Sequence, residues 1–448
     1  MFRLFLTTLS GILVAVAASG QDGRPLSLDD AVALAMERNP AMHAAQAAGD
    51  EADARVGQAK GGYLPRLDFV EAWQGGNQPV YVFGSLLAQR RFTAADFALN
   101  SLNHPDPLSN HRAAIVVQQT LFDGFATRAA ADGARLGASA AQLEREIAGA
   151  RLRLEVVRAF GRALQARAAR AVADAAVATA AEDVRRSETR RDEGLETEAN
   201  VLAFRVHLAG AEAEKVRASA EETVARAALN SLIAAPLDDM TPLVGLTELP
   251  QRDVDPVALE AQALAHRPEL QQARLSRDQA EAARLGARAG YLPHVLVNAG
   301  AEMNGETFTD RASAWSAALE VRWNLFAGGS DSARVAEASA AMRRADAERE
   351  RLESMVKLEV RTTLAGYQAA VAREATGRRA VEQARESQRI IRDRYDAGLA
   401  PASDVLRAAE LLAQAESART GAVIDVHLTA AGIDRAVGRS GLEPGSKQ

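Results

Sequence analysis

Tyr-Leu-Pro occurs twice, at 63–65 and 291–293, and the 228-residue interval between the copies recurs elsewhere in the chain. Ser27 precedes LDDAVALAMERNP and Asp255 precedes PVALEAQALAHRP; both are good helix N-caps, and they keep the same offset, as do Pro40 and Pro268. Farther on, LFDG at 121–124 answers LFAG at 325–328, and DEGLETEANVL at 192–202 answers DAGLAPASDVL at 396–406, now at an offset of 204. The fall from 228 to 204 places 24 additional residues in the first unit, between Pro65 and Leu121. Two copies with so long a period make a duplicated domain, not a solenoid. The expected division is a first repeat at 21–235, a Pro-rich linker at 236–256, a second repeat at 257–435 and a tail at 436–448.

Each unit changes periodicity along its length. In the second, short β segments are expected at 294–303 and 314–325. Over the latter, Trp315, Ala317, Leu319, Val321, Trp323 and Leu325 share one face, and Ser316, Ala318, Glu320, Arg322 and Asn324 the other. The first unit has counterparts at 66–74 and 113–122, joined by a long surface loop at 75–110. A half-buried strand of a soluble sheet alternates in the same way. The tryptophans point toward lipid: eight steps of roughly 3.3 Å, tilted by about 40°, separate Trp315 from Trp323 by on the order of 20 Å along a membrane normal. Trp73, in the first strand, is a third candidate for the membrane interface.

The rest reads as helix. From 125 to 193 and again from 330 to 397 there is no proline, and Leu136 and Leu143, Ile147 and Leu154, and Val157 and Leu164 recur at seven-residue steps. About 68 residues of helix make a rod roughly 100 Å long, which needs coiled-coil packing against neighbours. Each rod turns back at a tip, near 194 and near 398. The apolar fraction of 48% includes only 4% aromatic, so these helices pack through Ala, Leu and Val.

Composition removes several function classes. A net charge of −6 without a basic, aromatic-laced face argues against nucleic acid. With no cysteine, the chain has no disulfide, thiolate metal site, Cys nucleophile or lipid-anchored Cys. Residues 1–20 have the pattern of a cleaved signal peptide, with one early charge at Arg3, an apolar stretch over GILVAVAA and a cut between Ala17 and Gln21. A membrane anchor would need about 20 apolar residues. Ser354 and Lys357 match S-x-x-K, but inside a predicted helix and without K-T-G or S-D-N. The seven histidines include no H-x-x-x-H, and neither G-x-G-x-x-G after a strand nor a Walker A sequence occurs. No catalytic, metal or cofactor-binding residue is expected.

Taken in order and twice over, ALAMERNP, GYLP, LFDG or LFAG, and Gly-Leu followed by Val-Leu resemble the TolC-like outer-membrane ducts of Gram-negative efflux pumps and type I secretion systems. The resemblance spans nearly the whole mature chain. It implies a mainly α fold with a small β part: four membrane strands plus long coiled-coil helices per chain, assembled as a homotrimeric β-barrel in outer-membrane lipid and continued by a periplasmic α-barrel. Four strands cannot close alone, because the smallest membrane barrels have about eight and open edges are not tolerated in lipid. Tyr-Leu-Pro then marks the junction of helix and membrane strand, where Pro65 and Pro293 stop a helix. The implied partners are a periplasmic adaptor and an inner-membrane RND or ABC transporter.

Three groups of residues are expected to matter. Gly194-Leu195 and Gly398-Leu399 are tip turns, whose leucines either meet the adaptor or pack internally. In the best-known family member two aspartates near the start of the final tip helix form acidic rings; here the matching positions hold Asp404 and Arg407, and their duplicates are Asn200 and Ala203. That member's gate-stabilising Arg aligns with Ala400, while its Tyr is retained as Tyr395. Asp404 is equally well placed to stabilise the first turn of a helix after Pro401. The third group is Trp73, Trp315 and Trp323. A competing reading, a periplasmic coiled-coil scaffolding protein, differs over 314–325, which would then belong to a soluble core.

Overall fold

The computed structural model describes residues 24–246 and 248–439, so the expected signal peptide and most of the C-terminal tail lie outside the described residues. The first unit runs α1 (Leu28–Arg38), α2 (Pro40–Gly61), β1 (Arg66–Gly76), α3 (Pro79–Ala88), α4 (Leu99–Asn103), β2 (Leu108–Phe122), α5 (Ala126–Asp192) and α6 (Glu198–Leu232). The second runs α7 (Pro256–His266), α8 (Pro268–Ala287), β3 (His294–Gly305), β4 (Ala312–Arg322), α9 (Ser330–Asp396) and α10 (Ala402–Ala436). Counterparts begin 228 residues apart as far as β1 and β3, and 204 apart from β2 and β4 onward, so the duplication governs every shared element.

Local chemistry accounts for the boundaries. Ser27 and Asp30 form a reciprocal cap at α1, with the Asp30 amide donating to Ser27 Oγ at 3.1 Å and Ser27 Oγ donating to Asp30 at 2.6 Å. Asn39 and Asp255 accept from the amides of Ala41 and Val257, and proline follows each at the first helical position, where its missing N–H costs nothing. α5 and α9 each continue for 67 residues, about 100 Å.

The chain divides into two compact units. One comprises 155–250 and 371–428 with α1, and its core draws Val156, Phe160 and Ala163 from α5, Phe204 and Leu229 from α6, and Val405 and Val426 from α10. Gly161 permits close approach of α5 and α10, since a Cβ there would stand 2.6 Å from Ile424 Cγ2. The other comprises 38–154, 251–370 and the chain from 429 onward. It holds the sheet and an ionic cluster in which Arg267, itself buried, pairs with Glu269 at 2.8 Å and with Glu359.

The sheet is antiparallel, in the order β1-β2-β3-β4. Its register stacks Leu67, Val117, Ala299 and Ala317 in one row and Phe69, Ile115, Ala301 and Trp315 in the next, all on one face. Leu67, Phe69, Trp73, Ile115, Met303, Trp315, Leu319 and Val321 stand exposed there. Glu71 is the only carboxylate on this face, and it pairs at 2.7 Å with the buried Arg311. The opposite face carries ion pairs: Arg66 with Asp68 at 2.9 Å, Arg112 with Glu302 at 2.7 Å and Arg322 with Glu320 at 2.6 Å.

β1 and β3 each run two residues past the expected end, to Gly76 and Gly305, and β4 begins two residues early, at Ala312; three larger differences have local causes. β4 ends at Arg322, not at residue 325, because its partner β3 begins at His294, directly after a proline that has no N–H to extend the ladder. Trp323 therefore lies just past the strand. β2 starts at Leu108, five residues earlier than the pattern suggested; Ser109 and Asn110 obscure the alternation but are hydrogen-bonded to Trp73 and Gln89. Within 75–110 the chain forms α3, a 3-10 turn at Ala94–Phe97 and α4 rather than an open loop. Pro79 starts α3 and the apolar run PVYVFGSLLA sustains it.

Candidate gate and membrane face

The two tips are built alike. Gly194 and Gly398 both adopt φ +74°, a left-handed conformation that glycine takes at little cost. The amides of Leu195 and Leu399 then donate back to Arg190 O at 2.8 Å and Arg394 O at 2.7 Å, closing each helix in a Schellman turn. This leaves both leucines pointing outward, 64% and 70% exposed in the protomer.

Just above the tips the two helical hairpins are tied together. Tyr395 Oη donates to Glu196 Oε2 at 2.9 Å, and the Arg190 guanidinium lies 5.2 Å from the Tyr395 ring centroid and 3.9 Å from Glu196. Arg392 reaches both oxygens of Asp183, at 3.0 and 3.1 Å, and Arg186 stands 3.7 Å from Asp396. Phe204, Tyr395, Ala402 and Val405 form the apolar cluster beneath, with Ala400 packed against it.

The Glu196 side chain is only 8% exposed. Burial pushes its carboxyl up, but hydrogen bonds from Asn200, Tyr395 and the Thr197 amide, with Arg190 nearby, outweigh this and hold it below its ordinary value. For Tyr395, burial and the hydrogen bond to anionic Glu196 act together and raise the phenol to about 12. Asp183 is raised by burial, which Arg392, Arg186 and His207 offset only in part.

The residues flagged from sequence fall into two sets here. Tyr395 enters the inter-hairpin contact. Asp404 sits in the first turn of α10 with its carboxylate 4.0 Å from Arg407, at the limit of an ion pair, and Arg407 is exposed. Neither joins the contact with Glu196. Sequence reading passed over Glu196, Arg190, Arg392 and Asp183. A signal for the first existed: under the 204-residue offset Glu196 is the duplicate of Ala400, so a charge absent from one tip stands in the other.

On the exposed apolar face of the sheet Trp73 donates its indole N–H to Ser109 Oγ at 2.8 Å, and it and Trp315 lie three residues from the hairpin end of their strands. Trp323 donates to Tyr291 O at 3.1 Å, at the helix end. Tyr63 and Tyr291 are exposed at that same end. No described helix is long and apolar enough to cross a membrane, and among the described residues no group of three His, Asp or Glu is arranged to hold a metal. Ser354 spends its hydroxyl on Glu350 O, inside α9.

The family model described as outer membrane efflux protein matches residues 31–235 and 259–439. No curated protein matches the chain. Among solved structures, the CmeC outer membrane channel of Campylobacter jejuni superposes with a TM-score of 0.79 at 15% identity, covering 92% of this chain and 86% of its own. The outer membrane protein VceC of Vibrio cholerae gives 0.74 at 22%, covering 92% and 96%. The MtrE outer membrane channel of Neisseria gonorrhoeae, in its open state, gives 0.73 at 19%, covering 92% and 88%. At these identities the likeness carries the fold.

Proposed function

The chain belongs to the outer membrane efflux protein family, an outer-membrane channel with a periplasmic helical extension, and from that membership we propose that three copies form the exit duct of a tripartite efflux pump or type I secretion system. The observation that carries this reading is the two-faced sheet. One face is apolar and exposed, the other bears paired charges, and β1 and β4 each lack a neighbour on one side. In lipid such edges must be paired, and three sheets of four strands pool into a closed twelve-stranded barrel with the ionic face around water. Tyr63, Tyr291 and Trp323 then form the periplasmic aromatic belt, with Trp73 and Trp315 in the outer one.

In this account transport is passive, and energy is supplied by an inner-membrane RND or ABC transporter through a periplasmic adaptor. The adaptor docks on Leu195 and Leu399, which offer apolar knobs at the far periplasmic end. The contact of Tyr395 and Glu196 acts as a latch holding the two hairpins of a protomer together in the closed duct, and Asp404 with Arg407 sets the charge of the entrance. Replacing both leucines by Asp tests the docking: export is lost while the yield of outer-membrane trimer is unchanged. Export at the normal rate removes the tips from the adaptor contact.

A further inference from the structure

We propose that the segment around α3 is a strap folded over the inner face of the sheet, giving the duct a second, apolar constriction at its outer mouth. The inference rests on the trimeric-duct reading above. Its ground is where the strap is fastened. At one end Tyr81 Oη donates to Gln74 O at 2.6 Å and lies 3.3 Å from Leu108 O, beside β1 and β2. At the other, Gln89 donates to Ser109 O and to Asn110 Oδ1, both at 2.9 Å, Arg90 reaches Ser313 O within β4 at 2.8 Å, and Arg91 pairs with Glu306, directly after β3. The strap thus crosses the hairpin end of all four strands.

It lies on the inner face. Asn110 Nδ2 donates to Asn304 Oδ1 at 2.9 Å, and Asn304, whose side chain shares the face of Arg112 and Glu302, is 2% exposed. Across the sheet Met303 and Trp315 remain open. Fastening is specific enough to hold Arg90 at φ +57°, a helix-end position normally given to glycine, with Arg91 N closing on Leu86 O at 2.9 Å.

The helix presents a sharp contrast of faces. Val82, Ser85 and the cap residue Gln89, at helical spacing, are buried, and Gln89 is bonded to β2. The opposite side is Val80, Gly84 and Leu87, with Val80 78% exposed and open space beyond the Gly84 Cα. No charged residue occurs in α3. Phe83, Phe92 and Phe97 stack edge to face at 4.9 and 5.0 Å and stiffen the segment behind it. Three such helices around one axis put an apolar ring into an otherwise ion-paired lumen. A ring of this kind opposes ions and hydrophilic solutes by dewetting and passes amphiphilic cargo.

The test uses the full-length protein in planar bilayers, with polyethylene glycols of graded size added on the outer side or the periplasmic side. Val80→Asp with Leu87→Asp, both on the uncovered face, is expected to raise the conductance of open events and to shift the outer-side size cut-off to larger polymers, leaving the periplasmic-side cut-off in place. Because the chain has no cysteine, Leu87→Cys gives an independent reading. A bulky water-soluble maleimide added outside is expected to block current in that variant and not in the parent. Trimeric pores whose conductance, outer cut-off and Leu87→Cys current are all unmoved would overturn the strap. A parent protein that forms no trimer and no pore refutes the duct reading itself.

Discussion

Removing one hydroxyl at the tips tests the latch. In Tyr395→Phe the ring keeps its edge-to-face contact with Phe204, at 6.1 Å, but Glu196 loses the donor that stood 2.9 Å away. Hydrogen bonds to charged groups contribute about 1.5–3 kcal/mol. Glu196 retains Asn200 and the Thr197 amide, which argues for the low end. At about 1.4 kcal/mol per factor of ten, a loss of about 1.5–2 kcal/mol confined to the closed form multiplies the open population by roughly 10 to 30. Opening frequency in planar bilayers at neutral pH reads this directly. The effect of Tyr395→Phe should vanish in a Glu196→Leu background, where its partner is gone. An opening frequency within about twofold of the parent, or the same increase in both backgrounds, would refute the latch.

Three further outcomes follow from the same geometry. Leu319→Arg places a charge on the lipid face and should cost about 2–4 kcal/mol, reducing trimers in the outer membrane, whereas Glu320→Arg on the ion-paired face is tolerated; equal yields would contradict the barrel. Asp404→Asn should lower cation selectivity and Arg407→Ala raise it, read as opposite shifts of reversal potential, and no shift in either would leave Asp404 a first-turn helix residue only. Opening should also depend on pH at both extremes. Glu196 is held below its ordinary 4.5, so its contribution is present above that value and lost as pH falls through the folded one; Tyr395 is raised from 10.0 to about 12, so its contribution is present below 10 and lost as pH rises through 12. A single step near neutral pH would contradict this assignment.

Much of the architecture was legible because duplication writes each boundary twice. Proline, N-cap and tip glycine recur at fixed offsets, and the element starts follow them residue for residue. The alternation of 315–322 likewise gave the two faces of β4 before any partner strand was known. What escaped was set by contacts distant in sequence. Glu196 looks like one more charge in an acidic turn until Tyr395, 199 residues away, is seen to donate to it. Tyr63 and Tyr291 drew attention for the proline beside them, not for their own place at the edge of the sheet. The Ala94–Phe97 turn and α4 escaped because elements of four and five residues leave no periodicity to read. The limit of β4 depended on where β3 could begin, which no inspection of 312–325 alone reveals.

The mass of the assembly tests the trimer most directly. Protein extracted in mild detergent from purified outer membranes should run as a trimer by native mass spectrometry, and cysteines introduced on the free edges of β1 and β4 should crosslink between protomers. A monomer recovered from the soluble periplasm, with no crosslink between those edges, would contradict the account.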